Sequence, residues 1–261
     1  MVKRVQLGLR IDWIFVSLLM LHRINMMSEL SQIKKLYEDG FSSREMAKKL
    51  GTSKSRVSSI CQKHGFVKSV LNPTDYQMQI IYGSIIGDGS LNKATPNSNA
   101  RFTLGHSLKQ TEYFMFKYNS VLNLIKCKTV LHSHFDKRTQ KTYESIHFQS
   151  KVNRLYTELH SKWYKDGKKI MPIEELLKLD KLAIAIKYFD DGYKNSGGNY
   201  NIAMHDYSVE CIDNFRDLLR VKFGIDTNMH KSKTIYILAK DRDKFKEIIS
   251  VIKCKDVQYK I

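Results

Sequence analysis

Two Asp-Gly pairs, Asp88-Gly89 and Asp191-Gly192, stand where apolar helical stretches stop. A glycine just past a helix end is expected in the left-handed cap conformation. Each aspartate would then lie in the last turn, beside unpaired carbonyls and at the negative pole of the helix dipole. Two such ends brought together concentrate carboxylate and carbonyl oxygen with no cation in the pattern to offset them, which calls for a metal. Hard oxygen donors suit Mg2+, with Mn2+ as a substitute. Asp88 and Asp191 are the expected metal ligands and catalytic acids, with Gly87 and Asp190 beside them as further ligands. A divalent ion on a scissile phosphate activates water and steadies the leaving oxygen. One Asp-Gly alone reads as a turn or a cap. Two at matching places in a repeat, on a very basic chain, reverse that preference.

The repeat supplies the elements that must position them. Its first copy runs as a helix (Tyr76 to Gly87), strand material ending in Ala100–His106, and a helix (Gln110 to Ile125). A hairpin then pairs Thr129–Phe135 with Thr142–Gln149, and a last helix spans about Val152 to Trp163. The second copy repeats the order: a helix (Lys181 to Asp190), strand material ending in Asn199–Met204, and a helix (Ser208 to Phe223). A hairpin of Ile225–His230 with Thr234–Ala239 and a helix from Arg242 to Ile252 follow. Two like units predict a pseudo-twofold α+β domain over 75–261, with halves of about 75–165 and 166–261. Helix ends meet only if the helices pack closely, and small residues allow it: Gly83, Ser84 and Gly87 on one helix, Ala183 and Ala185 on the other.

The 261 residues carry 44 Lys and Arg against 26 Asp and Glu, a formal net charge of +18. Such a surplus points to a polyanion partner. A basic membrane-surface protein is the competitor, but no basic amphipathic helix with an apolar stripe stands out. The four cysteines form no C-x-x-C pair, which argues against structural zinc, and their scatter argues against a disulfide framework. The expected setting is a reduced, DNA-containing compartment inside a cell, a bacterial or phage-infected cytoplasm or an organelle, rather than secretion. Residues 1–27 read as a translated leader. The apolar run Ile11 to Leu21 is broken by Asp12 and too short to span a bilayer. Residues 28–66 predict three short helices, Ser31 to Glu38, one capped at Ser42 or Ser43 and running to Leu50, and Lys54 to Lys63. Ile33, Leu36, Tyr37, Met46, Leu50, Val57 and Ile60 form their expected core. This reads as a helix-turn-helix, whose last helix would present Ser53, Lys54, Ser55 and Arg56 to DNA; an ordinary three-helix unit is the alternative. Residues 67–74 read as a linker.

Ile81-Tyr-Gly-Ser-Ile-Ile-Gly-Asp-Gly89 and Ile184-Ala-Ile-Lys-Tyr-Phe-Asp-Asp-Gly192 resemble the two signature helices of LAGLIDADG homing endonucleases, with Asp88 and Asp191 at the eighth motif position. The resemblance covers essentially all of 75–261 and includes the order of elements. The C-terminal half is similar to single-chain, intron-encoded members of yeast mitochondria. Lys168-Lys169-Ile-Met-Pro172 resembles their Lys-Lys-x-x-Pro segment, and Tyr259-Lys260-Ile261 their Tyr-Lys-Leu. The resemblance implies that Lys169 and Lys260 each enter an active site; the alternative is two surface lysines among many. Tyr82 departs from the family's usual alanine and would either loosen the helix pair or point away from it. Ile86 and Phe189 replace the aspartate of the family name.

The resemblance further implies a saddle-shaped antiparallel sheet lying on duplex DNA. Alternation would turn Phe102 and Leu104 towards the helices and Arg101 and Thr103 towards DNA; Tyr200, Ile202 and Met204 inward and Asn199 and Asn201 outward. The hairpin tips, Lys137-Arg138 and Lys231 with Lys233, suit phosphate contact. His132 and His134 share a strand face, either as a metal pair lacking a third ligand or as DNA-facing polar residues. The expected partner is double-stranded DNA with a long asymmetric target, bound by a monomer and cut in both strands to leave short 3′ overhangs. Two other functions stay open: a non-cutting DNA-binding regulator, and an RNA maturase acting on intron RNA.

Overall fold

The two halves of the larger unit share one strand order. In the first the sheet runs Ser90–Asn92, Arg101–Ser107, Lys141–Gln149, Val130–Asp136 and in the second Gly192–Lys194, Tyr200–Ala203, Thr234–Ile237, Thr227–Met229, each antiparallel, open and four-stranded. The protein is seen here as a computed structural model that describes residues 26–39, 41–66, 71–125 and 127–261. The expected leader lies outside these residues except for Met26 and Met27, as do residues 67–70 of the expected linker. The chain divides into two units at Val70 and Leu71. No helix among the described residues is long and apolar enough to cross a membrane.

The smaller unit holds α1 (26–38), α2 (Ser43–Leu50) and α3 (Lys54–Lys63). Ser42 and Glu45 cap α2 reciprocally, each side chain accepting the other's main-chain N–H, and so satisfy two donors the helix leaves free. Gly51 ends α2 at φ +63°, a conformation a side chain disfavours. Ser53 caps α3 by accepting the N–H of Arg56. Ile33, Met46, Ala47, Val57 and Cys61 form a separate small core, with Leu36, Tyr37, Leu50 and Ile60 at its edge. α1 is helical from residue 26, earlier than the expected Ser31.

The larger unit opens with α4 (Asp75–Ile86), β1 (Ser90–Asn92), β2 (Arg101–Ser107), α5 (Thr111–Ile125), β3 (Val130–Asp136), β4 (Lys141–Gln149) and α6 (Arg154–Trp163). A two-stranded turn, β5 (Tyr164–Lys165) and β6 (Lys168–Lys169), and the short α7 (Ile173–Leu176) lead to the second copy. That copy is α8 (Lys181–Asp191), β7 (Gly192–Lys194), β8 (Tyr200–Ala203), α9 (Val209–Phe223), β9 (Thr227–Met229), β10 (Thr234–Ile237) and α10 (Arg242–Ile249), closed by a 3-10 turn over Lys255–Lys260. The expected first hairpin holds in register, with Phe135 opposite Thr142.

Helices α4 and α8 are buried almost all round, from Gln79 to Ile86 and from Ala183 to Phe189, and pack against each other. Gly83 permits the approach: a Cβ there would stand 2.8 Å from the carbonyl oxygen of Ala183. The side chain of Tyr82 is turned towards Trp163, ring centroids 5.9 Å apart.

The cap conformation expected at the two Asp-Gly pairs is not found. Gly89 is absent from the positive-φ glycines and Gly192 has φ −97° and ψ 161°. Both lead directly into strands, β1 and β7, so the chain needs extended backbone where a left-handed cap would reverse it. Their missing side chains serve packing instead, since a Cβ on Gly192 would run into Tyr188 and one on Gly89 would lie 2.9 Å from the carbonyl of Ser84.

Candidate active site at the ends of the motif helices

Helix α4 ends at Ile86 with Gly87 as its C-cap, so Asp88 lies just beyond the helix; Asp191 is the last residue of α8. Both aspartates line one cleft of about 800 Å³, together with Lys169, Lys187, Lys233 and Tyr207. Their side chains keep 39% and 30% of their surface exposed, enough to meet a ligand.

The two lysines implied by the resemblance come to these ends. Lys169 Nζ donates to the carbonyls of Gly87 and Gly89, each at 2.8 Å. Lys260 Nζ donates to the carbonyls of Phe189 at 2.6 Å and Asp190 at 3.3 Å. Each ammonium thus sits at the negative pole of one motif helix, where a cation is favoured. Lys169 is delivered by the β5–β6 turn, in which Asp166 and Gly167 both take positive φ, the two-residue hairpin geometry. Lys260 is delivered by the closing 3-10 turn. Asp256 in that turn accepts the N–H groups of Glu112 and Tyr113, and Glu112 accepts that of Lys255, a reciprocal clamp onto the start of α5.

Cations are therefore present where the sequence pattern offered none, and two more sit on the acids themselves. Lys187 Nζ lies 2.6 Å from Asp191 Oδ2, and Lys117 Nζ lies 2.8 Å from Asp190 Oδ1. Asp190 does not line the cleft and its side chain is wholly buried. Burial opposes its ionisation, but the Lys117 ammonium outweighs it and holds the carboxyl below its usual range. Its carboxylate also accepts the Tyr113 hydroxyl at 2.8 Å and the main-chain N–H of Asp88 at 3.0 Å. The Asp190 carboxylate, expected as a metal ligand, is therefore already satisfied away from the cleft, and its carbonyl accepts Lys260.

Asp88 stands differently. Protein crowding around its carboxyl, reinforced by the like charge of Asp190, pushes it up to about 7. His106 Nδ1 lies 3.4 Å from Asp88 Oδ2. Burial, helped by Lys117, pushes His106 down to about 3, so the imidazole is neutral and the contact is polar rather than ionic. Burial likewise pushes Lys169 down to about 8, with Lys187 adding to it, and lowers Lys260.

Ligand atoms of Asp88, His106 and Asp190 all lie within 4.8 Å of one another, the one such group among the described residues. A metal at its centre would meet the Lys117 ammonium on Asp190. The cleft face offers Asp88, Asp191 and the Gly87 carbonyl, hard oxygen donors of the type a divalent ion takes, with Lys169 on the Gly87 carbonyl and Lys187 on Asp191.

The remaining predicted residues are spread along the sheets and α3. Phe102, Leu104 and His106 are the buried face of β2, and Arg101 and Thr103 are half-buried on the other. His132 and His134 are exposed, as are Lys137, Arg138 and Lys231 at the tips. Asn199 is half-buried and its side-chain oxygen accepts from Arg242. Asn201 does not reach the surface: it lies between Tyr193 and Tyr236, its partners on the flanking strands, and is 2% exposed. Lys233 is drawn inward, its Nζ donating to the Tyr207 carbonyl, and so is not a free tip charge. On α3, Ser53, Lys54 and Ser55 are exposed, whereas the Arg56 guanidinium is held by both carboxylate oxygens of Glu29 at 2.9 and 2.8 Å.

Sequence reasoning missed His106, Tyr113, Lys117, Lys187 and Tyr207. A signal existed for three of them. His106 alternates with Phe102 and Leu104 on an apolar strand face. Lys117 shares the core face of α5 with Tyr113, Val121 and Leu124, and Lys187 sits among wholly buried residues of α8. A polar group on such a face needs a buried partner.

A family model of the LAGLIDADG DNA endonuclease family matches residues 78–248. The cytochrome b mRNA maturase bI2 of Debaryomyces hansenii is 29% identical over 176 residues, 66% of this chain and 67% of that protein. The DNA endonuclease I-ChuI of Chlamydomonas applanata is 25% identical over 176 residues, 60% of this chain and 78% of that protein. The chain spans about half the length, 47%, of the mycobacterial RecA proteins it also matches. Among solved structures, the homing endonuclease I-WcaI bound to its DNA recognition sequence has the same fold, with a TM-score of 0.65, 18% identity, and coverage of 73% of this chain and 87% of that one. With a match that takes in both motif helices and both sheets, this chain belongs to the LAGLIDADG DNA endonuclease family.

Proposed function

We infer that this protein is a site-specific DNA endonuclease that hydrolyses one phosphodiester in each strand of a duplex, using Mg2+, with Mn2+ as a substitute. The observation that carries the reading is the doubled arrangement: at each of two pseudo-symmetric helix ends an aspartate opens on one cleft and a partly desolvated lysine stands on the carbonyls beside it. Asp88 and Asp191, with the Gly87 carbonyl beside them in the cleft, would hold the metal. A bound divalent ion there supplies Lewis acidity to the phosphate and acidity to the attacking water. Lys169, already pushed down to about 8, accepts a proton from water at Nζ once deprotonated, and its protonated form steadies charge on the phosphorane. Lys260 serves the second strand in the same way.

The faces of β2, β3 and β8 that turn from the helices, with the basic tips Lys137, Arg138 and Lys231, would lie along the duplex. Because the two halves differ in sequence, the target is asymmetric and a monomer suffices; the cut leaves short 3′ overhangs. In the smaller unit, Ser53, Lys54 and Ser55 at the start of α3 would add contacts in a major groove, as a helix-turn-helix does.

The test is cleavage of the gene's own flanking DNA, joined as an uninterrupted insertion site, with Mg2+, with Ca2+ and with EDTA. A Mg2+-dependent double-strand cut at one locus, reduced to a nick or abolished by Asp88→Asn and by Asp191→Asn, supports the reading. Tight binding with no cut under any metal would sink it. The identity to a maturase favours a second reading, in which the protein assists splicing of intron RNA. Binding of the host intron RNA, with a splicing rate that rises on addition of protein, would distinguish that role, and the two can coexist.

A further inference from the structure

Asp88 and Asp191 are held by different means. Asp191 belongs to α8 and takes its orientation from the helix ladder. Asp88 lies past the cap of α4, so its main-chain N–H needs an acceptor from elsewhere. That acceptor is Asp190 Oδ2, at 3.0 Å, from the opposite half. The other oxygen of Asp190 is clamped by Lys117 and Tyr113, each at 2.8 Å. Those two residues stand one turn apart on α5 of the first half, and both are fully buried. The arrangement has no mirror image. At the place equivalent to Asp190 the first half has Gly87, whose Cβ, if present, would run into the Asp190 carboxylate.

We propose that Asp190, clamped by Lys117 and Tyr113, is a positioning residue that fixes Asp88 across the pseudo-twofold and makes the first half-site depend on the second. Its catalytic consequence rests on the endonuclease reading; the positioning itself does not. A core ion pair with no such role is the competing account. Removing one partner of a buried pair strands a charge and would disturb the fold, whereas replacing both is well tolerated. Two double variants therefore separate the accounts. Lys117→Met with Asp190→Asn retains an oxygen that can accept the Asp88 N–H. Lys117→Met with Asp190→Leu removes it at similar size.

Two measurements on the full chain read the difference. Hydrogen exchange of the Asp88 amide, followed by NMR with selective 15N-aspartate, should be faster in the Leu variant and close to native in the Asn variant. Strand-resolved cutting should show the Asp88-dependent strand slowed about 10–100-fold in the Leu variant, with the Asp191-dependent strand changed by less than about threefold, the scale on which outer partners of metal ligands act. Equal protection of the Asp88 amide in the two variants overturns the proposal, whatever cutting shows. Equal slowing of both strands, or of neither, overturns its catalytic half. If the native protein cuts no DNA, the endonuclease reading has failed, and amide exchange still decides whether Asp190 positions Asp88.

Discussion

The two motif-helix ends share a backbone plan but not a charge plan. Each ends beside an aspartate, leads into a short strand, and receives a lysine on its last carbonyls. At the second end Asp191 has Lys187 at 2.6 Å, one helical turn back. At the first end Asp88 has no lysine within ion-pair distance among the described residues; its neighbours are a neutral His106 and the Asp190 carboxylate. One acid is neutralised in place and the other is left under strain of charge. Two motif positions make the difference: Ser84 stands where the second motif has Lys187, and Gly87 where it has Asp190, since a Cβ on Gly87 would run into the Asp190 carboxylate.

The largest expected effect tests whether the shared half of that plan works as two independent centres. Lys169→Met should slow the strand that depends on Asp88, and Lys260→Met the strand that depends on Asp191, each by about 10²–10³-fold. Strand-labelled substrate on a denaturing gel reads both. With Lys169 near 8, its strand should lose rate as pH falls below about 8, since the protonated amine cannot accept a proton. Slowing of both strands by either substitution would mean a shared centre instead.

Packing asymmetry comes next. Gly83→Ala pushes a Cβ against main chain of the partner helix and should cost about 1–3 kcal/mol, read as a lower midpoint in urea. Gly87→Ala meets a side chain instead, the Asp190 carboxylate. It should destabilise the native protein, yet less so in a Lys117→Met, Asp190→Gly background, which removes the Asp190 carboxylate and the Cβ 2.8 Å away with it. The tyrosines follow. Tyr113→Phe removes a bond to a carboxylate and should cost about 1.5–3 kcal/mol, against about 0.5–1.5 kcal/mol for Tyr207→Phe, whose hydroxyl meets only the Ile86 carbonyl. Equal costs would argue against a charged acceptor at Asp190.

The smallest effect has opposite signs at the two ends. The Asp88 carboxyl titrates near 7 in the fold and near 3.9 when unfolded, so ionising it costs stability that accumulates as pH rises between those values. Asp88→Asn should therefore raise the melting temperature at pH 8 and leave it unchanged near pH 4. Its partial exposure keeps the gain to about 2–4 °C, the scale of roughly 1 kcal/mol in a domain of this size. Asp191→Asn should lower it, because Lys187, 1% exposed, loses its carboxylate. Calorimetry of both variants at the two pH values decides it; a gain at both ends would remove the distinction drawn between them.

Much of this architecture was legible in the sequence because it rests on local signals. Serine caps and glycine stops marked α3 to the residue and α2 to within one residue at its start, and period-two alternation marked the buried face of β2. The repeat of elements, with its paired Asp-Gly ends, marked the pseudo-twofold. The β5–β6 turn carries a local signal too, Asp166-Gly167 between short extended runs. The sequence by itself thus determined the elements, their order, and that two acids stand at two helix ends. Only the tertiary structure decided which charges face them. Lys117, Tyr113 and His106 reach Asp190 and Asp88 from α5 and β2, and the spacing of residues along a chain carries no distance between helices that meet only on packing. Tertiary structure alone also set Asp190 inward and Asp191 outward, because neighbouring residues on a helix point about 100° apart and the helix pair fixes which direction is the interior.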